Sequence, residues 1–339
     1  MVIKLSELIN KKLNDILALP DFEYVKLNFS KISDLGANNL YFADSGYNFV
    51  FSSAELKLIF FKTANVSITN KKTQSIFVDK YLLILSRTSE QKHNRYTIEL
   101  FEVKENNNYD LELIKTESNL NFNETISNAT NNLKNNESMQ DIEISIIVDM
   151  IRRYLELNLI KNIIHSSSFS NDSLIILDGQ IQPYYDFEKQ IILDIFAKTN
   201  NFVGVSKKTQ FNKLLSQSGY YDLNMNSSAL NNAYLSSVRS VIAKLHDLSK
   251  HNFRIDFNEK LNVLQLLKTL HNSIDNYFIG YPYGLILADN IAKVSEQEKR
   301  LINMIIYLNC SDKEHFFNLM NQTNAHDIID TINNKNKKY

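Results

Sequence analysis

Residues 174–181 read LIILDGQI, an apolar run that ends in a single carboxylate, Asp178. An earlier stretch, LYFADSGYN at residues 40–48, is built the same way around Asp44. Each run predicts a buried strand that delivers one aspartate to a rim. Such an acid costs folding energy unless something cationic meets it, and neighbouring carboxylates cannot all stay ionised without a metal or a proton between them. That is the pattern of a metal-dependent phosphodiester site, where two divalent ions activate a water and stabilise the leaving oxygen. The plainer alternative is that each aspartate opens a turn, which Asp-Ser-Gly and Asp-Gly both favour. Glycine usage favours chemistry: of seven glycines, five (Gly46, Gly179, Gly204, Gly280 and Gly284) fall in the four segments that carry candidate site residues.

Working outward, residues 39–103 hold four β-rich runs, LYFADSGYNFVFS, LKLIFFKTANVSI, SIFVDKYLLILS and RYTIELFEV, which predict an antiparallel meander. Residues 105–140 are dominated by Asn, Glu, Ser and Thr, the composition of a loop or insertion. A helix is expected over 141–164, with Ile147, Met150, Ile151, Tyr154 and Leu155 on its packed side. Then come the LIILD strand, a helix over 186–198, the FVGVS strand, a helical stretch at 230–241, a strand around FRIDF, a helix over 259–276 and a closing segment at 288–332.

This order predicts an α/β fold of RNase H-like type: a mixed sheet flanked by helices, with an N-terminal helix and a C-terminal helical extension. Metal ligands in that architecture sit on the first strand, the first helix and the fourth strand. The helix is therefore expected to offer a third carboxylate. Glu156, in DMIRRYLELN, is the candidate, with Glu143 and Asp149 as substitutes. Glu156 also stands four residues after Arg152, the spacing of an ordinary solvated ion pair. No repeat and no proline- or glycine-rich linker divides the chain. One domain over 1–339 is expected, with a helical arm at 1–30, a core at 39–205 carrying the insertion at 105–140, and a C-terminal part at 206–335.

Bulk properties narrow the chemistry. A chain of 339 residues buries roughly 75% of its unfolded surface. One cysteine, Cys310, excludes a disulfide framework and any multi-cysteine zinc site. His246 and His251, five apart, miss the i, i+4 arrangement of helical metal ligands. A bound metal is expected to have mainly oxygen ligands, which points to manganese or magnesium. The lysine-interleaved N-terminus is neither a signal nor a span, so a soluble cytoplasmic protein away from membranes is expected. Its stripe of Leu5, Leu8, Ile9, Leu13 and Ile16 fits either a partner surface or intramolecular core. The formal net charge of −1 means that any nucleic-acid binding must come from a local basic groove.

Three further motifs carry candidate chemistry. FVGVSKK, at 202–208, places Lys207 just past a strand, where it can meet negative charge on phosphorus, although lysines at strand ends are commonplace. GYPYGLILADN, at 280–290, concentrates Tyr281 and Tyr283 ahead of a helix that carries Asp289. The two phenols can stack on bases or hydrogen-bond a phosphate, or simply pack a turn onto the sheet. FRIDF offers Arg254 and Asp256 on one strand face, as support for the site or as a plain ion pair.

Taken in order, these motifs resemble the NurA nucleases: YFADSGYN for the first acidic motif, RRYLELNLI for the helix glutamate, LIILDGQI for the second aspartate, then FVGVSKK, FRIDF and GYPYGLILADNIAKVSEQE. The resemblance spans nearly the whole chain, and the last motif is its most specific part. It implies a toroidal homodimer that docks on a HerA-type hexameric translocase and processes DNA in double-strand-break end resection. The implied activity is a manganese-dependent 5′ to 3′ exonuclease and single-strand endonuclease, acting on single strands and duplex ends. By the same resemblance Asp44, Glu156 and Asp178 would be metal ligands, Lys207 a phosphate or transition-state contact, and Tyr281 the tyrosine of the C-terminal motif. Asp289 stands where family members often have histidine. That departure motivates an alternative of another class, a catalytically degenerate single-stranded-DNA-binding adaptor of the translocase. A third reading is an unrelated RNase H-like enzyme, a resolvase or an RNA nuclease.

Overall fold

The computed structural model describes residues 24–53, 55–88, 95–105, 111–116, 139–207, 218–222, 237–309 and 312–314. Residues 1–23 of the helical arm expected over 1–30, and the end of the chain, lie outside the described residues; the described end of the arm is corrected to a short strand at Tyr24–Lys26.

After a short β1 (Tyr24–Lys26), the meander forms as β2 (Asn39–Ser52), β3 (Leu56–Thr69), β4 (Lys72–Thr88) and β5 (Arg95–Glu105), each antiparallel to the next. The residues expected to be loop at 105–140 include a strand, β6 (Leu111–Lys115), paired to β5. LELIK is short, but its alternation suits an edge strand.

A long helix, α1 (Met139–His165), leads into β7 (Ser173–Asp178), α2 (Asp186–Lys198) and β8 (Phe202–Ser206). Next come β9 (Gly219–Asp222), β10 (Val238–Lys244) and β11 (Phe253–Asn258). The helical expectation at 230–241 is therefore corrected from Val238 onward. VRSVIAK is a strand buried on both faces, where apolar periodicity cannot tell strand from helix. Three helices follow: α3 (Val263–Asn272), α4 (Tyr283–Ala292) and α5 (Glu296–Asn309). No described helix is long and apolar enough to cross a membrane.

The eleven strands make one mixed sheet, ordered β1-β9-β10-β11-β8-β7-β2-β3-β4-β5-β6, with β7 parallel to both β2 and β8. This is the expected RNase H-like mixed sheet with helices on both faces. Strand alternation divides the core. Phe42, Leu174, Ile176 and Val205 pack with Leu266 and Leu270 of α3 and Leu285 of α4. Tyr41, Ala43, Ile175 and Leu177 pack on the other face with Leu157 and Ile160 of α1 and Ile192 of α2. The first half of α1 covers β3 to β5 through Ile147 and Ile151.

Two glycines seat α4 directly on β2. A Cβ at Gly284 would clash with the Phe42 ring, and one at Gly46 would lie 2.5 Å from the Ala292 carbonyl oxygen. Either substitution would lift the helix from the strand that carries Asp44.

Candidate active site

The register of β2 and β7 brings the two aspartates together. Pairing runs in parallel to Ala43 opposite Leu177, so Asp44 and Asp178 come next, side by side. β7 ends at Asp178 as expected, but β2 does not end at Asp44. It continues against β3, with Asp44 opposite Ala64, Ser45 opposite Thr63 and Gly46 opposite Lys62. The Asp-Ser-Gly triplet therefore forms no turn, because β3 supplies the partners a turn would otherwise provide internally.

Alternation then decides which face each acid serves. Asp44 and Asp178 share the faces of Phe42 and Ile176, on the α4 side. Tyr281 reaches the same side, with its ring 5.1 Å from that of Phe253. Lys207 lies over the Tyr281 ring, 4.5 Å from its centroid, and donates to Asp178 Oδ2 at 2.7 Å. Asp289, on α4, accepts from Lys293 Nζ at 2.7 Å, an exposed pair one helical turn apart.

Glu156 approaches from the α1 side. Its Oε1 accepts from Ser45 Oγ and from Arg152 Nη1, both at 2.6 Å, and its Oε2 accepts from Arg153 Nη1 at 3.1 Å. Arg153 is itself buried and holds a second buried carboxylate, Glu188, through Nε at 3.3 Å. Of the substitutes for Glu156, Asp149 is largely exposed and pairs with Arg152 at 3.3 Å, while the side chain of Glu143 lies outside the described residues.

The electrostatics follow from burial. Asp44 is 6% exposed, and its carboxyl is pushed up to about 8, first by desolvation, then by the charges of Asp178, Glu156 and Asp289. Asp44 makes no salt bridge among the described residues, although the Arg152 charge reaches it; its Oδ1 accepts from the Ser45 backbone N–H at 2.7 Å. Burial also raises Asp178, against the opposing charge of Lys207. Burial, and then the Asp178 charge, raises the Tyr281 phenol well above its ordinary value, so it stays protonated. The phenol lies against Asp178, whose charge and proximity raise it and which it in turn lowers, although the pair falls short of a well-formed hydrogen bond. Arg152 is held charged chiefly by Glu156. Burial works against the Arg153 charge, but Glu188 and Glu156 outweigh it.

FRIDF takes a supporting place. Asp256 is fully buried and accepts from Arg254 Nε at 2.8 Å, Ser240 Oγ at 2.6 Å and the Ile181 backbone N–H at 3.1 Å. The last bond ties down the loop that follows Asp178. Sequence reasoning missed Arg153, Ser45, Glu188 and Lys293. The Arg-Arg doublet three and four residues before Glu156 was the readable signal for the first. The partnership of Ser45 with α1 depends on register and had none.

Neither a family model nor a curated protein sequence matches this chain. Among solved structures, the NurA nuclease from Sulfolobus solfataricus superposes with a TM-score of 0.50 at 11% identity, over 91% of this chain and 96% of that one. The fold is NurA-like. Human ENDOV aligns with a TM-score of 0.38 at 9% identity, over 88% of this chain and 98% of that one. An endonuclease V from Bacillus subtilis aligns with a TM-score of 0.33 at 9% identity, over 91% and 96%.

Within the NurA-like fold, the donor set suits a hard divalent cation in kind, since Asp44, Glu156, Asp178 and Asp289 are all oxygen donors. The spacing is looser than the chemistry. Among the described residues, no three His, Cys, Asp or Glu side chains stand close enough together to hold an ion as they are. Arginine and lysine partners engage three of the four. A cavity of about 450 Å³ at the other end of β2, near Leu40, Ile68 and Tyr283, is lined by none of the six candidate residues.

Proposed function

We propose that this chain is a metal-dependent DNA nuclease, working as one NurA-type domain with Asp44, Asp178 and Glu156 as the residues that would hold divalent cations. The observation that carries the reading is that Asp44 is buried beside Asp178 on the neighbouring strand and makes no salt bridge among the described residues. A divalent ion is the partner that such a carboxylate lacks, and manganese or magnesium suits its oxygen donors. Bound there, it would activate water and stabilise the leaving oxygen of a phosphodiester.

The chain's own groups do the rest. Lys207 stands at the rim, bonded to Asp178 and close over Tyr281, within reach of a phosphate oxygen on which negative charge develops. Tyr281 keeps its proton and, buried beneath Lys207, sets the position of the lysine and of Asp178. Asp289, a third acid on the α4 side, either adds an oxygen donor or stays with Lys293. The finer reading is 5′ to 3′ exonuclease and single-strand endonuclease activity in end resection, as a homodimer with a HerA-type translocase. It rests on the motif resemblance and the NurA-like fold together.

The test is digestion of labelled single-stranded DNA with manganese and then with EDTA. Cleavage in manganese alone is expected, and Asp44→Asn should lower it at least about a thousandfold, the several kcal/mol that ion positioning supplies. Full activity in Asp44→Asn refutes the assignment. A second reading, a DNA-binding adaptor that does not cut, has one observation in its favour: Glu156 is locked by two arginines and a serine. Binding without cleavage, alone and with the translocase, would select it.

A further inference from the structure

The loop between α3 and α4 presents two aromatic rings to solvent, with Tyr277 99% exposed and Phe278 48% exposed. The loop that carries them is pinned by its own backbone. The N–H groups of Tyr277 and Phe278 both donate to Asp275 Oδ1, at 2.7 and 2.5 Å. The Asp275 N–H donates to the Tyr281 carbonyl at 3.1 Å, and the Tyr283 N–H to the Ser273 carbonyl at 2.8 Å. Gly280 closes the loop at φ 100°, a conformation other residues rarely adopt. The rings are therefore held out in water by a fixed scaffold, at a hydration cost that packing elsewhere would have avoided.

Phe278 also leads to the candidate active site through direct contacts, and Tyr277 is its neighbour in the chain. Phe278 meets Tyr281 edge-on, with centroids 6.1 Å apart, and stacks on His251 at 6.2 Å with an interplanar angle of 11°. Tyr281 in turn lies under Lys207, which bonds Asp178. Tyr281 thus stands between Lys207 and Phe278, in contact with both. Lys250, exposed next to His251, adds positive charge along the same path.

We propose that Tyr277 and Phe278 form a stacking platform for unpaired nucleobases of a strand entering the site. The proposal rests on the nuclease reading and deepens it by assigning a recognition surface for single strands. Flat π faces accept any base, so the platform selects strand state rather than sequence. In a duplex those faces are covered by the neighbouring pairs, which leaves single strands and frayed ends as its ligands.

The chain has no tryptophan, so Tyr277→Trp installs a single indole reporter at a position where its size cannot disturb the core. In EDTA, where cleavage is suppressed, a short oligothymidylate is expected to quench that indole, and a blunt hairpin duplex is not. Tyr277→Ala is expected to weaken oligothymidylate binding about tenfold, within the range for loss of one stacked base, and to leave duplex binding where it was. Three results overturn the proposal: unchanged single-strand affinity in Tyr277→Ala, a parent that binds no oligothymidylate, or an indole that responds only to a protein partner. Manganese cleavage assays on the same proteins separate the two readings. A parent that cleaves DNA while Tyr277→Ala binds it normally sinks the platform and spares the nuclease. Quenching and lost affinity without cleavage in any divalent ion spare the platform and sink the nuclease.

Discussion

Glu156 and Glu188, on the α1 side of the sheet, each have a guanidinium at hand, whereas Asp44, on the α4 side, makes no salt bridge among the described residues. Asp44 and Ser45, adjacent on β2, face opposite sides of the sheet, and Glu156 of α1 meets the strand through Ser45. On the α1 side Arg153 reaches both glutamates, the Ser45 hydroxyl completes the set, and little of any carboxylate meets water. The α4 side is served by Lys207 and Lys293, whose side chains are 44% and 63% exposed. A network closed by buried arginines is built to stay; lysines at a rim can leave. The comparison makes the α1 side, with Glu156, the fixed part of the proposed site and the α4 side the part that would open to a ligand.

The sharpest way to break that division is to open the closed side. Arg153→Met leaves Glu188 buried without a guanidinium, while Glu156 keeps Arg152 and Ser45, and urea denaturation is expected to show a loss of about 3 to 5 kcal/mol. A loss under about 1 kcal/mol would mean that the arginine is dispensable and the α1 side is not a structural network.

The α4 side makes the opposite forecast. With its folded pKa raised from 3.8 to about 8, Asp44 supports stability fully below about pH 4 and loses that support as pH rises through 8. In EDTA, the parent should therefore weaken from pH 5 to pH 9. Asp44→Asn, which mimics the neutral acid, should be the more stable of the two at pH 9, by an amount on the order of a few kcal/mol. Parallel stability curves for the two proteins would remove the idea that Asp44 lacks a cation.

The smallest effect belongs to the exposed rim. Lys293→Ala breaks only a solvated pair with Asp289 and should change stability by less than about 1 kcal/mol. A larger loss would mean that α4 depends on that pair for its seat on β2, where the contacts of Gly46 and Gly284 already account for it.

Much of this was legible in the sequence, for identifiable reasons. The two apolar runs with their terminal acids, the meander and α1 all announce themselves by periodicity, and the segment orders imply the sheet. What the residues could not disclose was register. Whether Asp44 opens a turn or lies within a strand depends on β3 offering partners for seven more residues of β2, a long-range fact. The same fact sends Ser45 to α1 and Asp44 to α4. The strand at Val238–Lys244 was unreadable for another reason: a strand covered on both faces loses the alternation that would distinguish it from a helix.

Asp44, central to the α4 side, is also where the account is most exposed. Manganese titrated calorimetrically into the parent, Asp44→Asn and Glu156→Gln, without DNA, tests it directly. The account predicts binding by the parent that Asp44→Asn weakens at least about tenfold, a difference of roughly 1.4 kcal/mol or more. Equal manganese affinity in the parent and Asp44→Asn, or none in the parent, would contradict it.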